Sequence, residues 1–371
     1  MRMQHDETTA MIAKEVQNLV RAELADAAMK WNEGHGSAAD ALPKLGGMGL
    51  LGILASETDG GSELDDNVLA VVLEQLAIAD AGLAALVAGH NIALAAGLRA
   101  GFGVSDASRD AMRACAGGDA LLCWIDGRAD GHLDDDSPAF ELREGRLYGA
   151  VPSVIGAPTA RYAITTVEQQ SEFRIALVDL HGEGVDRNAT AAERELVGLR
   201  SADAGPIRFD GAPVLADARK TGAQALGRTR ARLAMAAILC GSARAAHEAG
   251  VRYTLERVQF GKPIAAFQPM QWQTADSTTE LTGAQLLLGR AAASLVAATA
   301  DAPDHVDRAV VAAFETARRV SDRALQMHGG YGYTTDYAVE RPYRDVYALP
   351  LLGGTALAAR ARIAARLADA A

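Results

Sequence analysis

Apolar residues return every three or four positions through the first hundred residues, the period of helices that each bury one face. Between 8 and 30 this spacing puts Ile12, Val16, Leu19 and Val20 on one side, with Thr8 or Thr9 placed to cap the start. A polar link, Trp31 to Ser37, leads to a short helix that ends in Leu45-Gly46-Gly47-Met48-Gly49. Ile53 to Ser62 is turn-rich in Gly, Asp and Ser. Two strongly apolar helices are predicted at Val68–Ala79 and Ala84–Leu98. From Ala120 to about Val214 the pattern changes to short β-branched or aromatic runs (LLCWID, ELREGRLYGAV, RYAITTV, FRIALVDL, PIRFDGAPV) separated by Gly, Asp and Pro, which predicts antiparallel strands. Helical spacing resumes at Gln224 and predicts helices at Leu226–Leu255, Gln271 to about Ala300, Asp304–Met327 and Thr355 to the end. Asp301 and Pro303 separate the second of these from the third. The fold class is therefore α+β in three parts: an N-terminal α-helical domain at 1–118, a middle antiparallel β domain at 119–218 and a C-terminal four-helix bundle at 219–371.

Composition narrows the function. A chain of 371 residues exceeds one core and calls for packed subdomains, and 49% hydrophobic residues set it apart from disordered chains. A net charge of −11 argues against nucleic acid or an anionic membrane as partner, though local arginines can still hold an anionic ligand. Cys115, Cys123 and Cys240 are too few and too scattered for a zinc site, and read as free thiols in a reducing cytoplasm. No apolar run is expected to reach the roughly 18 residues of a membrane span, and MRMQHDETTA lacks the apolar core of a signal peptide. The expected location is cytoplasmic. In the acidic segment Gly127–Pro138, His132 stands near Asp134, Asp135 and Asp136, but adjacent aspartates lack the spacing of a calcium loop; an exposed loop with no metal is expected. His247, His305 and His328 sit in helical or helix-end contexts and read as packing or surface residues.

Candidate chemistry concentrates in two stretches, Gln326–Thr355 (QMHGGYGYTTDYAVERPYRDVYALPLLGGT) and Tyr253–Gln271 (YTLERVQFGKPIAAFQPMQ). The glycine pairs Gly329-Gly330 and Gly353-Gly354 leave backbone bare where one helix stops and another starts, the second pair offering free N–H groups at a helix N-terminus. Arg257, Phe260, Gly261 and Gln268 fill the pattern R-x-x-F-G-x-x-I-x-x-x-Q. Gln326, Gly329, Gly330, Gly332, Arg344, Asp345, Gly354 and Thr355 fill Q-x-x-G-G-x-G-Y, an R-D pair and a G-T loop end. On these residues the chain resembles the acyl-CoA dehydrogenase family of flavoproteins along nearly its whole length. The resemblance implies α,β-dehydrogenation of an acyl thioester, bound to CoA or to a carrier protein. A carboxylate base takes the α-proton, and FAD accepts the hydride. It also implies that Arg257, Phe260, Gln268, Gln326, Gly329, Gly330 and Thr355 bind FAD, held mainly by a neighbouring subunit, and that Arg232 contacts substrate.

The chain departs from the family where the chemistry happens. The usual glutamate precedes Gly-Thr and matches Gly353; the alternative base precedes the helix arginine and matches Ala231. Neither residue accepts a proton, so no catalytic residue is assigned. The strand whose threonine bonds the flavin ring reads Cys123-Trp124-Ile125-Asp126, and a second such segment reads Ser153-Val154-Ile155-Gly156. The nucleotide-side residues remain and the ring-side residues do not. This asymmetry resembles the base-lacking chain of bacterial α2β2 members that act on steroid side chains, and implies a non-catalytic subunit completing a partner's FAD site. Two alternatives stand beside it: an active homomer with an atypical base or altered flavin chemistry, and a structural homologue that binds no flavin.

Overall fold

The structure, a computed structural model, describes residues 6–126, 140–169, 172–187, 196–219 and 221–369. The acidic segment Gly127–Pro138 lies outside the described residues. Helix α1 (Glu7–Leu19) is capped by Asp6, whose carboxylate accepts the Thr9 N–H at 2.7 Å, so the cap lies two or three residues before the threonines expected to supply it. A single π-turn, Val20–Leu24, joins α1 to α2 (Ala25–Asn32), and α3 (Leu42–Gly47) follows. Asp65 caps α4 (Asp66–Ala79) and Asp80 caps α5 (Ala81–Ala100), each accepting first-turn N–H groups. Helix α6 (Asp106–Ala116) was not expected. Its charged run hides an apolar face of Ala111, Met112, Cys115 and Ala116.

Helix α5 corrects the reading of apolar runs: it is 20 residues long with a mean hydropathy of 1.6, long and apolar enough to cross a membrane. Yet 89% of that stretch is buried within the protein, and a helix enclosed on all sides has no polar face to show.

Strands β1 (Leu122–Ile125), β2 (Phe140–Arg143), β3 (Arg146–Val154), β4 (Tyr162–Gln169), β5 (Glu172–Asp179), β6 (Val185–Asp186) and β7 (Gly205–Ala218) form one sheet. Its order is β1-β4-β5-β7-β3-β2, with β6 added beside β7. The 14-residue β7 bridges the sheet, pairing with β3 along its first part and with β5 along its last. All pairings are antiparallel except β1 with β4, which run parallel in the register Leu122↔Tyr162 to Ile125↔Thr165. The sheet is thus mixed rather than wholly antiparallel. A parallel pair needs a long return path, and the excursion through β2 and β3 provides it. His90, fully buried in α5, fastens the helix to the sheet: its Nδ1 accepts the Leu122 N–H at 3.0 Å, and Nε2 then donates to the Cys115 carbonyl at 3.1 Å.

Helix α7 (Thr221–Glu256) runs 36 residues from the sheet into the last domain. A small hairpin of β8 (Val258–Gln259) and β9 (Lys262–Pro263) leads to α8 (Gln268–Val296) and α9 (Ala302–Met327). The chain then forms α10 (Glu340–Ala348), α11 (Pro350–Gly353) and α12 (Ala356–Asp369). Helices α7, α8, α9 and α12 make the bundle, and α10 and α11 occupy much of what the glycine pairs presented as a connecting loop.

The three layers meet at two buried carboxyls. Asp345 in α10 accepts the Leu199 N–H at 2.6 Å, and Asp80 accepts the Asn32 amide at 2.9 Å and the Ser201 hydroxyl. Burial first, then the proximity of Asp80, pushes Asp345 up to about 7, against the pull of the Leu199 N–H, Arg341 and Arg344. A carboxyl raised in the fold favours the neutral form, so stability present below about 4 is lost as pH climbs through about 7. His90 works the other way. Burial holds it down to about 4, so its contribution is lost as pH falls from about 6.5 through 4. Asp345→Asn is expected to gain stability over the parent progressively between pH 4 and 8 and to match it near pH 4. Urea midpoints across that range test this, and a difference independent of pH would refute the assignment.

Candidate functional site

Both expected base positions lie together at the first half of α7, Ala231 on that helix and Gly353 at the end of α11 packed against it. Helix α11 packs so closely on α7 that a Cβ added at Gly353 would stand 2.8 Å from the Ala231 carbonyl oxygen and 3.1 Å from the Arg232 Cα. These are backbone atoms of a packed helix and cannot step aside. Gly353 and Ala231 therefore face one another in direct contact, with no room between them for a carboxylate. Thr355 begins the next helix, its hydroxyl accepting the Ala358 N–H at 3.1 Å. It thus satisfies part of the helix start that the glycine pair was expected to leave open.

One turn earlier on α7 the end of β1 presses against the helix. The Trp124 indole lies on Gly227, where an added Cβ would sit 2.7 Å from the ring's Cη2. Glycine inside a helix costs about 1 kcal/mol relative to alanine, and here it admits the indole. Beside it, Asp126 accepts a two-pronged contact from Arg228, Nε at 2.7 Å and Nη2 at 2.6 Å, and the Thr166 hydroxyl at 3.0 Å. Trp124 is 8% exposed, and its Nε1 has no hydrogen-bond partner among the described residues. Burying roughly 200 Å² of indole contributes about 5 kcal/mol, whereas a stranded N–H costs about 1–3 kcal/mol. Packing wins, and the ring stays. Ile125 is buried on β1 opposite Thr165, and Ile155 is half-buried in the turn after β3; neither offers a hydroxyl.

Arg232, expected to contact substrate, turns into the bundle. Its Nη2 donates to the Thr229 hydroxyl at 3.1 Å, and its Nε lies 3.3 Å from Asp307 without the alignment of a hydrogen bond. Asp307 is fully buried and also takes Arg362 in a fork at 2.8 and 3.1 Å and Arg366 at 2.7 Å. Burial lowers Arg232 to about 10; Asp307 opposes the shift, while Arg362, Arg366 and Arg228 add to it. The guanidinium remains charged at neutral pH.

The remaining expected residues gather at the far end of α7. The hairpin closes by an Ile264 N–H to Arg257 carbonyl bond of 2.8 Å, with Phe260 at its tip, 93% exposed and at φ +52°. Gln268 starts α8 and is exposed, as are Gln326, Gly329 and Gly330 at the end of α9. The two groups are joined by aromatic contacts. The Arg257 guanidinium lies 6.0 Å from the Tyr331 ring centre, and Tyr253 stacks on His328 at 4.2 Å. His328 is buried, its Nδ1 donating to the Ala324 carbonyl at 2.8 Å, so it is a packing residue. Nothing lies within 4 Å of a Cβ added at Gly329 or Gly330, which leaves the backbone there open to a ligand. Ala231 and Glu256 are 25 residues apart on α7, about 38 Å at 1.5 Å per residue. The two halves of the expected site are separated within one chain.

Residues 6–118 match the model of the acyl-CoA dehydrogenase N-terminal domain, and residues 224–368 match that of the acyl-CoA dehydrogenase C-terminal domain. The chain belongs to the acyl-CoA dehydrogenase family. It is 26% identical over 340 residues to a 3-(aryl)acrylate reductase of Clostridium sporogenes, covering 87% of this chain and 89% of that one. It is 40% identical over 138 residues to a 3-sulfinopropanoyl-CoA desulfinase of Variovorax paradoxus, a match spanning 37% of this chain and about a third (34%) of the relative. A glutaryl-CoA dehydrogenase of Mycobacterium smegmatis in complex with FADH2 superposes with a TM-score of 0.86 at 20% identity, covering 98% of this chain and 95% of that one. At that identity the likeness is one of fold.

The residues present fit a family flavin unevenly. The end formed by Arg257, Gln268, Gln326, Gly329 and Gly330 offers a cation, two amides and open backbone, the donor set that a dinucleotide's phosphates and riboses require. At Ala231 and Gly353 backbone meets backbone, one turn on from the indole on Gly227, and neither residue carries a side-chain donor or acceptor for the ring. Sequence reading missed Arg228 and Asp307, whose partners lie at least 55 residues away in the chain. The one local signal was Gly227, a helix-interior glycine just before the arginine.

Proposed function

We propose that this chain is a non-catalytic subunit of a heteromeric, FAD-linked acyl-CoA dehydrogenase-type enzyme acting on an acyl thioester. The observation that carries the reading is the contact of Gly353 on Ala231, which leaves both base positions without a proton acceptor. Groups suited to the nucleotide half of FAD stand about 38 Å from the positions where a base would act, further than one dinucleotide reaches, and those base positions hold Gly353 and Ala231. Arg257 and its neighbours then serve a flavin whose ring lies on another chain, and that chain supplies the carboxylate. Exposed apolar side chains accompany them: Phe260, Trp272 at 61% and Tyr333 at 89%. Large rings in solvent beside a ligand-ready loop are what a partner covers. FAD supplies the hydride acceptor when bound; this chain's residues hold its phosphates and riboses and exclude water from them.

Co-purification with a second dehydrogenase-like chain tests the reading. The complex is expected to carry FAD and to be bleached anaerobically by an acyl thioester, while this chain alone does neither. Arg257→Ala is expected to leave the complex assembled but lower its FAD retention about tenfold, the loss of one charge-assisted contact. Flavin bleaching by the isolated chain would refute the proposal. A second reading, a homomeric flavoenzyme of altered chemistry, is favoured by relatives that include a desulfinase and a reductase, and predicts that bleaching.

A further inference from the structure

We infer that Trp124 is a built-in plug, which keeps a planar ring and an acyl thioester out of this chain's own cleft and leaves one working flavin site for each pair of unlike chains. The inference rests on the subunit reading and deepens it. Loss of a base would alone make a chain inactive, but it would not stop the cleft from taking up a flavin unproductively. The closure at β1 and α7 is a separate feature, built from three parts. The indole is seated on Gly227, one turn before Ala231, where a Cβ added to the helix would stand 2.7 Å from the ring. The Asp126–Arg228 fork, braced by the Thr166 hydroxyl, fastens the end of β1 to the same turn of α7. Gly353 closes the next turn by contact with the Ala231 carbonyl.

Among these parts the indole alone is held by shape. Its Nε1 is buried with no acceptor among the described residues, so nothing but packing specifies tryptophan at this position. Gln224, one turn before Gly227 and also buried, likewise has an Nε2 without a partner among the described residues. Removing the indole takes its own N–H with it and leaves the Gln224 amide as the unpartnered donor on this part of α7, able to serve a ring that bears carbonyl and imine acceptors. The geometry assigns Trp124 a negative role: it occupies the space beside Gly227.

Equilibrium dialysis against riboflavin, which carries the ring without the nucleotide half, tests this on the full chain. The parent is expected to bind no riboflavin measurably, and Trp124→Ala to bind at least about tenfold tighter than the parent's detection limit. Circular dichroism checks the fold, and Trp124→Leu, which keeps an apolar side chain on Gly227, takes the place of the alanine variant if that one unfolds. Binding by the parent overturns the plug, because the ring then enters past the indole. Absence of binding by both parent and folded variants overturns it too, because something else excludes the ring. Either failure leaves the subunit reading standing, since that is judged on FAD content and bleaching of the two-chain complex.

Discussion

Installing the family's glutamate by Gly353→Glu is expected to destabilise the protein by about 3 kcal/mol and to yield no dehydrogenase. The new Cβ would lie 2.8 Å from the Ala231 carbonyl oxygen and 3.1 Å from the Arg232 Cα, so α11 must lift from α7. Overpacking of this kind costs about 1–3 kcal/mol, and a carboxylate pressed into an apolar contact adds its own desolvation. Denaturant midpoints measure the loss, and flavin bleaching by acyl thioesters measures the chemistry. A variant as stable as the parent would show that α11 stands off the helix and that the pocket is open, and the closed-site account would then fail.

Asp307→Asn is expected to cost about 3–5 kcal/mol, the usual loss when one partner of a buried ion pair is removed. The residue is fully buried, and Arg232, Arg362 and Arg366 converge on it from two helices. Without its charge, three guanidinia face each other across α7, α9 and α12. The control is Arg308→Ala one residue along, which breaks a pair with Asp304 whose arginine side chain is 49% exposed. An exposed pair contributes about 0–1 kcal/mol. Chemical unfolding of both variants compares them, and equal losses would mean that Asp307 is not the hub of the bundle.

Much of the architecture was legible because helices and strands declare themselves over short windows. The apolar spacing at Ile12, Val16 and Leu19, the runs around Ile164 and Leu177, and the restart after Pro303 each fall within a single element. What escaped was non-local or masked by composition. Helix α6 was hidden by its charges, and α10 and α11 by the glycines beside them. The parallel pairing of β1 with β4 depends on the path of the chain between them, which strand patterning does not encode. The full burial of α5 follows from what surrounds it rather than from its own residues.

The candidate site divides along the same line. Sequence alone determined that no carboxylate stands at position 353 or 231, that positions 125 and 155 are isoleucine, and that Arg257, Gln268 and Gln326 are present; these are matters of residue type. Only the tertiary structure decided that Gly353 rests on Ala231, that Trp124 fills the space at Gly227 under the Asp126–Arg228 fork, that Arg232 is engaged with Asp307, and that the two ends of the site lie at opposite ends of one long helix. The physical reason is that contact distance is set by how helices and sheet pack across a hundred or more residues, and a side chain's chemistry says nothing about which backbone will stand opposite it.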